Sequence, residues 1–162
     1  MFRTRVQPAE RRVGRPRRRV MLTVAAVVGV DQVTKALAPL TRSGAVLLLR
    51  NHELLLGVVG GNRVALALAM VAVLVGFGGH VIGRVEAGRL SPVVAGLLVG
   101  GGFANLVDRA LLGSVRDFIV IGHVMVVNVA DLAVAVGLVL YARAKYAARP
   151  VTGFALACEP PD

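Results

Sequence analysis

The sequence predicts an all-α integral membrane protein, a four transmembrane helix bundle with a small extracytoplasmic strand or interfacial segment. Hydrophobic residues make up 56% of the 162 residues, and the mean hydropathy is +0.74, which exceeds what ordinary soluble domains show. Four apolar segments each approach the length of about 20 residues that crosses a bilayer core as a helix. A helix is the expected structure there because lipid offers the backbone no hydrogen-bond partners.

Charged residues bracket the four apolar segments, which cover residues 20–40, 64–83, 90–107 and 118–142. We therefore divide the chain into an Arg-rich cytoplasmic tail (1–19), a four-helix membrane domain (20–145) and a second cytoplasmic tail (146–162).

Most of the net charge of +10 comes from the two ends of the chain. The first tail holds eight Arg residues, and Pro8, Gly14 and Pro16 are expected to interrupt any helix in it. A basic tail beside a membrane helix is typical of segments that contact anionic lipid. We therefore expect membrane lipids as partners of the tail and no nucleic acid.

Basic residues in the short loops predict the orientation in the membrane, because they accumulate on the cytoplasmic side. The two tails and the loop 84–89 carry thirteen basic residues, whereas the opposite side carries five. Both termini are therefore predicted to be cytoplasmic, and the chain near Asn51 and Asp117 is predicted to face outward.

Two short features lie between or within the spans. The apolar run 45–49 is too short to cross a membrane, so it is expected to be a strand or an interfacial segment. Gly96 and Gly100 are four residues apart, which lets the third helix approach a neighbour closely. The triplet 100–102 is interpreted as a packing surface, since no strand precedes it and no Lys follows it.

Ionisable side chains inside a bilayer are costly and usually face a partner or a wet cavity. Asp31 and Lys35 are four residues apart on the first helix, with the acid first, which favours an ion pair on one face. Asn105, Asp108 and Arg109 have helical spacing at the outer end of the third helix, so they share one face. Both groups are interpreted mainly as supports of a polar site, and a role in positioning a substrate stays open.

Asp117 and Asp131 are the candidates for chemistry. A fourth helix that begins near residue 123 would place Asp131 roughly 12 Å below the surface, and the chain before it can fold back to bring the carboxylates together. Two close carboxylates tend to share one proton, so one can activate water while the other protonates a carbonyl oxygen. The spacing alone also allows two isolated acids, an interfacial Asp117 and a structural Asp131.

A metal site or another cofactor is not expected. His52, His80 and His123 have no ligand spacing, and the one cysteine, Cys158, has no partner for a disulfide or a metal site.

Several blocks of the sequence, in order, resemble the lipoprotein signal peptidase (signal peptidase II) family. They are Asp31-Gln32-Val33-Thr34-Lys35, Asn51 with Gly57, the run from Gly101 to Arg109 followed by Gly113 to Ile119, and Asn128-Val129-Ala130-Asp131 with Gly137. The resemblance covers residues from about 20 to 140, and the number of spans and the side of the membrane agree with it.

The resemblance implies a membrane aspartic endopeptidase that cleaves bacterial prolipoproteins just before the diacylglyceryl-modified cysteine, in the plasma membrane and without a cofactor. It assigns catalysis to Asp117 and Asp131. It implies that further residues line or support the site: Asp31, Lys35, Asn51, Asn105, Asp108, Arg109, Asn128 and Ala130. The partners would be lipid-modified prolipoproteins, and we expect a monomer.

The sequence departs from the family pattern in the region that faces outward. Glu53 stands where the family usually has Gly, Val127 stands where it has an aromatic residue, and the link between Asp117 and Asp131 is short. Two alternatives therefore stay open: a paralogue with altered or lost activity, and a small membrane transporter or channel subunit whose acids line an ion path.

Overall fold

The structure is a computed structural model that describes residues 14–40, 46–51, 63–122 and 125–147. Its helices are α1 (Gly14–Leu37, followed by a 3₁₀ turn Ala38–Leu40), α2 (Arg63–Glu86), α3 (Pro92–Leu112) and α4 (Val129–Ala147), and its strands are β1 (Val46–Asn51), β2 (Val115–Ile121) and β3 (Met125–Val127). The protein is therefore mostly helical. The predictions for residues 1–13 and 148–162, and those for Glu53, Gly57 and His123, lie outside the described residues.

Within the described residues, three helical stretches are long and apolar enough to cross a membrane: Gly14–Leu40, Val64–Glu86 and Pro92–Leu112. The first helix begins earlier than predicted, at Gly14 instead of residue 20. Pro16 does not interrupt it because it lies in the first turn, where the missing N–H has no partner within the helix.

The fourth apolar segment differs from the prediction of one helix over residues 118–142. Its first part forms the hairpin of β2 and β3, and α4 begins only at Val129. The hairpin sequence is rich in Val and Ile, which favour strands, and Gly122 takes the positive φ of 60° between the two strands. Hydropathy alone does not separate such strands from a helix. Asp131 consequently lies in the first turn of α4 and not well inside a helix.

The three strands form one antiparallel sheet in the order β1-β2-β3. Arg50 of β1 pairs with Arg116 of β2, and Ile119 of β2 pairs with Val127 of β3. The sheet directly follows α3 and directly precedes α4, so it lies at one end of the bundle. We call this the sheet end, and the end with the turn between α2 and α3 the turn end.

Local signals set the limits of α3. Ser91 has extended backbone before Pro92 at the helix start, and Gly113 ends the helix in the left-handed conformation (φ 69°). The Gly113 N–H donates to the carbonyl of Arg109 at 3.0 Å. This ending reverses the chain so that β2 can begin two residues later.

Helix α3 is central, because each of the other three helices packs against it. Three consecutive glycines face the three neighbours. A Cβ added at Gly100 would lie 3.1 Å from α1, one at Gly101 would lie 2.5 Å from the carbonyl oxygen of Ala130 in α4, and one at Gly102 would lie 2.9 Å from Leu74 of α2. The predicted packing role of the triplet is confirmed.

The predicted close approach at Gly96 and Gly100 is confirmed as well. A Cβ on Gly96 would overlap Thr23 of α1, and one on Gly100 would meet Val24 of the same helix. Small residues four apart let the two backbones approach each other.

The two ends of the bundle have different interiors. Near the turn end an apolar cluster is closely packed, formed by Val20, Val81, Val85, Leu90, Val94, Ala95 and Leu98. Near the sheet end the fully buried side chains are mostly polar, namely Asp31, Lys35, Asp108, Ser114 and Asn128. Buried polar groups need hydrogen-bond partners, so the sheet end holds the candidate site.

Candidate active site

Asp131 is held at the start of α4 by two reciprocal hydrogen bonds with Asn128. The Asp131 N–H donates to Asn128 Oδ1 at 2.9 Å, and the Asn128 N–H donates to Asp131 Oδ2 at 3.2 Å. This is the arrangement of a capping box, with Asn and Asp in the two positions. It gives partners to N–H groups that the helix leaves free, so the start of the helix fixes the position of the Asp131 carboxylate.

Asp117, which belongs to the sheet, also binds Asn128. It is buried in β2 with 4% of its surface exposed, and Asn128 Nδ2 donates to its Oδ1 at 2.7 Å. Asn128 therefore binds both carboxylates, Asp131 through its backbone and Asp117 through its side chain. The structure brings the two acids together at one residue, although they belong to separate elements.

Asn105 of α3 completes this part of the site. Its Nδ2 donates to Asp131 Oδ1 at 2.7 Å, and its Oδ1 accepts from Asn128 Nδ2 at 3.1 Å and from Lys35 Nζ at 3.2 Å. The amide can only have one orientation with these partners, because donors and acceptors would clash if it were flipped. The side chains of Asn105 and Asn128 thus hold the carboxylates of both Asp117 and Asp131 in place.

Arg109 and Asp108 are neighbours in α3 with different surroundings. Arg109 lines a cavity together with Asp117 and Asp131, close enough for its charge to act on both. Asp108 is turned toward α1 and β2, where it pairs with Lys35 and Arg116. The prediction of one shared face is therefore right for Asn105 and Arg109, which meet the carboxylates, and wrong for Asp108.

Lys35 is the centre of a buried ionic cluster. Its Nζ lies 2.6 Å from Asp31 Oδ2 and 3.2 Å from Asp108 Oδ2, and it donates to Asn105 Oδ1. An ammonium group has three donors, and all three are used. The predicted pair of Asp31 and Lys35 is thus present as a buried ion pair with additional hydrogen bonds, the condition under which such a pair is tolerated.

Asp31 also connects α1 to α4. Its Oδ1 accepts the backbone N–H of Ala130 at 2.9 Å. Ala130 is fully buried, and its carbonyl oxygen lies against Gly101 of α3. The first turn of α4, which carries Asp131, is therefore held by Asp31 from one side and by Asn128 from the other.

Two residues of the site were not predicted from the sequence, Arg116 and Gln32. Arg116 donates to Asp108 through its backbone N–H (3.1 Å), Nε (3.3 Å) and Nη2 (2.7 Å), and Nη2 also lies 2.7 Å from Gln32 Oε1. Gln32 Nε2 donates to Asp108 Oδ1 at 3.0 Å. The bonds to Asp108 raise the pKa of Arg116 above its ordinary value. The sequence offered two signals for Arg116 and Gln32: both lie in blocks that resemble the family, and Arg116 is a charge inside an apolar segment.

A cavity of about 680 Å³ opens beside the two carboxylates. Its walls are mostly apolar side chains of α2, α3, α4 and the β2–β3 hairpin. Its polar groups are confined to one end, where they belong to Asn105, Arg109, Asp117 and Asp131. An apolar pocket with a few convergent polar groups is typical of a ligand site.

Nine of the ten residues predicted for the site have described side chains, and the structure gathers them at the sheet end: Asp31, Lys35, Asn105, Asp108, Arg109, Asp117, Asn128, Ala130 and Asp131. For Asn51 only the backbone is described, and it pairs with Val115 in the sheet. In the described ranges, no group of three or more His, Cys, Asp or Glu side chains is placed to hold a metal ion.

Comparison with known proteins agrees with this architecture. The chain is similar to a solved bacterial membrane enzyme with a TM-score of 0.68 and 24% identity, over 79% of this chain and 87% of the other. It is similar to the lipoprotein signal peptidase of Mycobacterium leprae, with 35% identity over 77% of this chain and 71% of the relative. It is also 33% identical to the lipoprotein signal peptidase of Bacillus subtilis, over 56% of this chain and 62% of that relative.

The sequence profile of the family described as "Signal peptidase (SPase) II" matches residues 23–145. These residues run from α1 to α4 and contain the whole buried ionic cluster around Lys35 and the carboxylates of Asp117 and Asp131. The chain therefore belongs to the signal peptidase II family, the membrane peptidases that remove signal peptides from prolipoproteins.

Proposed function

We propose that this protein is an aspartic endopeptidase that cleaves bacterial prolipoproteins just before the lipid-modified cysteine, with Asp117 and Asp131 as its catalytic pair. The observation that carries the proposal is the convergence of these two carboxylates on Asn128 at the polar end of an apolar cavity. A site of this kind suits a substrate that has a peptide bond next to acyl chains.

The chemistry follows from two carboxylates at one place. One carboxylate takes a proton from water, the water oxygen bonds to the carbonyl carbon, and the other carboxyl group gives its proton to the carbonyl oxygen. The bond from carbon to nitrogen then breaks: the departing amine receives the proton that the first carboxylate took from water, and the second carboxylate takes back a proton from a hydroxyl of the intermediate. Asn105 and Asn128 keep the carboxylates in position for these transfers.

Arg109 has a supporting role in this mechanism. It is the cation that lines the cavity beside both acids. A fixed positive charge near the reacting carbonyl stabilises the negative charge that develops on its oxygen, most strongly where water is excluded.

The proposed membrane arrangement has four spans and both termini in the cytoplasm. In α4 the charged residues lie near the ends, with Asp131 in the first turn and Lys145 in the last, so its middle is apolar. With α4 as a fourth span, the β1-β2-β3 sheet lies on the outer side of the plasma membrane. The carboxylates then lie in the outer leaflet, at the depth of a lipid-anchored substrate.

Lateral entry of the substrate from the bilayer fits the shape of the cavity. Its walls come from α2, α3 and α4, and both α2 and α4 pack against α3. We expect a monomer to suffice, because every group assigned to the chemistry comes from one chain. A transporter is not favoured, since the apolar cluster near the turn end fills the bundle below the cavity.

The proposal is tested by replacing each acid separately. Asp117→Asn and Asp131→Asn keep the size of the side chain but remove its ability to transfer a proton. A positioned acid or base contributes about 10²–10⁴-fold to a rate, so we expect cleavage of a purified diacylglyceryl-modified prolipoprotein to fall by at least that much. The measurement is the rate of product formation by protein purified in detergent.

Glu86→Gln is the matched control. Glu86 lies at the turn end, where it accepts a hydrogen bond from Arg17 at 2.6 Å. Its substitution should therefore leave the cleavage rate unchanged. If a correctly inserted Asp117→Asn or Asp131→Asn variant cleaved the substrate at the wild-type rate, the proposed catalytic pair would be excluded.

A further inference from the structure

The cavity has a polar end at the two carboxylates and an apolar end deep in the bundle. Its wall on α3 runs from Arg109 to Leu98, which is about 16 Å of helix at 1.5 Å per residue. A bilayer core is roughly 30 Å thick, so the cavity has the length of about one leaflet.

Three side chains lie at the apolar end, and we call them the aromatic floor: Phe77 of α2, which lines the cavity, and behind it His80 of α2 and Tyr141 of α4. The rings of Phe77 and Tyr141 meet edge to face, with centroids 5.9 Å apart, and His80 Nε2 lies 3.2 Å from the Tyr141 hydroxyl. Phe77 lines the cavity, and Leu138, one turn before Tyr141, lines it from α4. The floor therefore joins α2 to α4 where the cavity between them ends.

Below the aromatic floor, the interior of the bundle is closely packed. Tyr141 packs against the apolar cluster near the turn end, and Leu98 of that cluster also lines the cavity. Close-packed interiors resist the insertion of further atoms. A chain that descends from the carboxylates is thus free to advance only as far as Phe77 and Tyr141.

We propose that the aromatic floor sets the length of the acyl chain that the enzyme accepts, with Phe77 and Tyr141 as its specificity-determining residues. This inference rests on the proposed function. The occupant of the cavity is an acyl chain of the lipid-modified cysteine. The cysteine is held at the carboxylates by the peptide bond to be cleaved, so its acyl chain begins at the polar end and follows the apolar walls.

The dependence on chain length follows from packing. A methylene that moves from the bilayer into the cavity exchanges one apolar surrounding for another, so its gain is only the dispersion energy of closer packing. Once the chain reaches the floor, a further methylene either displaces a packed ring or stays outside. The kcat/KM of the wild-type protein should therefore rise with chain length, reach a maximum and then fall.

The experiment measures kcat/KM for one prolipoprotein carrying acyl chains from lauroyl to arachidoyl. Phe77→Ala lowers the floor, so the maximum should move to longer chains, and kcat/KM for those chains should exceed the wild-type value. Leu138→Phe fills the cavity just above the floor, so the maximum should move to shorter chains. This second variant creates no void and tests the idea even if Phe77→Ala does not fold.

Phe103→Ala is the matched control. Phe103 lies on α3 but does not line the cavity, and 46% of its surface is exposed. Its loss should leave the position of the maximum unchanged.

The outcomes separate the inference from the function on which it rests. The floor does not select acyl chains if the wild-type protein cleaves the whole series at a rate that does not depend on chain length. The same conclusion follows if Leu138→Phe and Phe77→Ala both leave the maximum in place. In either case the peptidase activity stands. If the wild-type protein cleaves no substrate of the series, both proposals fail.

Discussion

Arg116 makes four hydrogen bonds in the site, as many as Asn128, but it does not face the two catalytic carboxylates. Consecutive side chains of a strand point to opposite faces of the sheet. Asp117 therefore faces Asn128 while Arg116 faces Asp108 and Gln32. A guanidinium held by several bonds on one face fixes the register and the rotation of β2, and so it fixes the direction in which Asp117 points.

The first prediction at the residue scale is that Arg116→Ala weakens both stability and cleavage. Hydrogen bonds to charged groups contribute about 1.5–3 kcal/mol, and we expect the free energy of unfolding to fall by that amount. The rate kcat should fall more than KM rises, since the substrate still binds while Asp117 is less well placed. Thermal unfolding in detergent and steady-state cleavage measure the two effects.

Arg50→Ala is the control for this prediction. Arg50 is the cross-strand neighbour of Arg116, and its side chain is exposed. Arg116→Lys should recover part of the loss, because an ammonium keeps the charge but not the forked geometry. Equal stability and kcat in Arg116→Ala and Arg50→Ala would contradict the assigned role.

The site was predictable from the sequence where it consists of acids and amides with helical spacing. Asp31 with Lys35, and Asn105 with Arg109, occupy faces that the spacing alone predicts, and the family resemblance pairs Asp117 with Asp131. The contacts of Arg116 were not predictable, because its partner Gln32 is 84 positions away. Nothing in local spacing encodes a contact between β2 and α1.

At the scale of elements, the largest difference from the prediction is the hairpin of β2 and β3. Hydropathy assigns its residues to a membrane helix, since strands and helices rich in Val and Ile have similar apolar content. A tertiary contact decides that these residues form strands: β1 pairs with β2 and gives the backbone of β2 the hydrogen-bond partners that a lone strand lacks. That pairing also carries Asp117 to the start of α4, which no continuous helix over 118–142 would do.

The prediction at this scale concerns Gly101, where α3 touches the start of α4. Gly101→Ala would place a methyl group 2.5 Å from the carbonyl oxygen of Ala130. Backbone cannot yield as a side chain can, so α4 must shift, at a cost of about 1–3 kcal/mol. Because Asp131 belongs to that first turn, we expect the cleavage rate to fall together with the unfolding temperature.

Gly79→Ala on α2 is the matched change, since nothing lies within 4 Å of a Cβ at Gly79. At that position the substitution should raise the free energy of unfolding by up to about 1 kcal/mol, because Ala has a higher helix propensity than Gly. The two variants should therefore change stability in opposite directions. A Gly101→Ala protein that is as stable and active as the wild type would show that α4 is not fixed by this contact.

At the scale of the whole molecule, the interior changes along the axis of the bundle. The turn end is packed with Val, Leu and Ala side chains, and the sheet end combines an ionic cluster with a cavity. Buried ions contribute little net stability but strongly limit the alternative arrangements of the helices. The packed end thus supplies most of the stability, and the ionic end supplies the positions of the groups that act on the substrate.

The last prediction concerns the direction of this axis in the membrane. The tails and the α2–α3 turn carry most of the basic residues, so the turn end should face the cytoplasm. In a Cys158→Ala background, Ile121→Cys at the hairpin should react with a membrane-impermeant maleimide in intact cells. Ala87→Cys in the turn should react only after the cells are permeabilised, because both positions are exposed but lie at opposite ends. Labelling in the reverse order would place the carboxylates in the inner leaflet, away from a substrate anchored on the outer side.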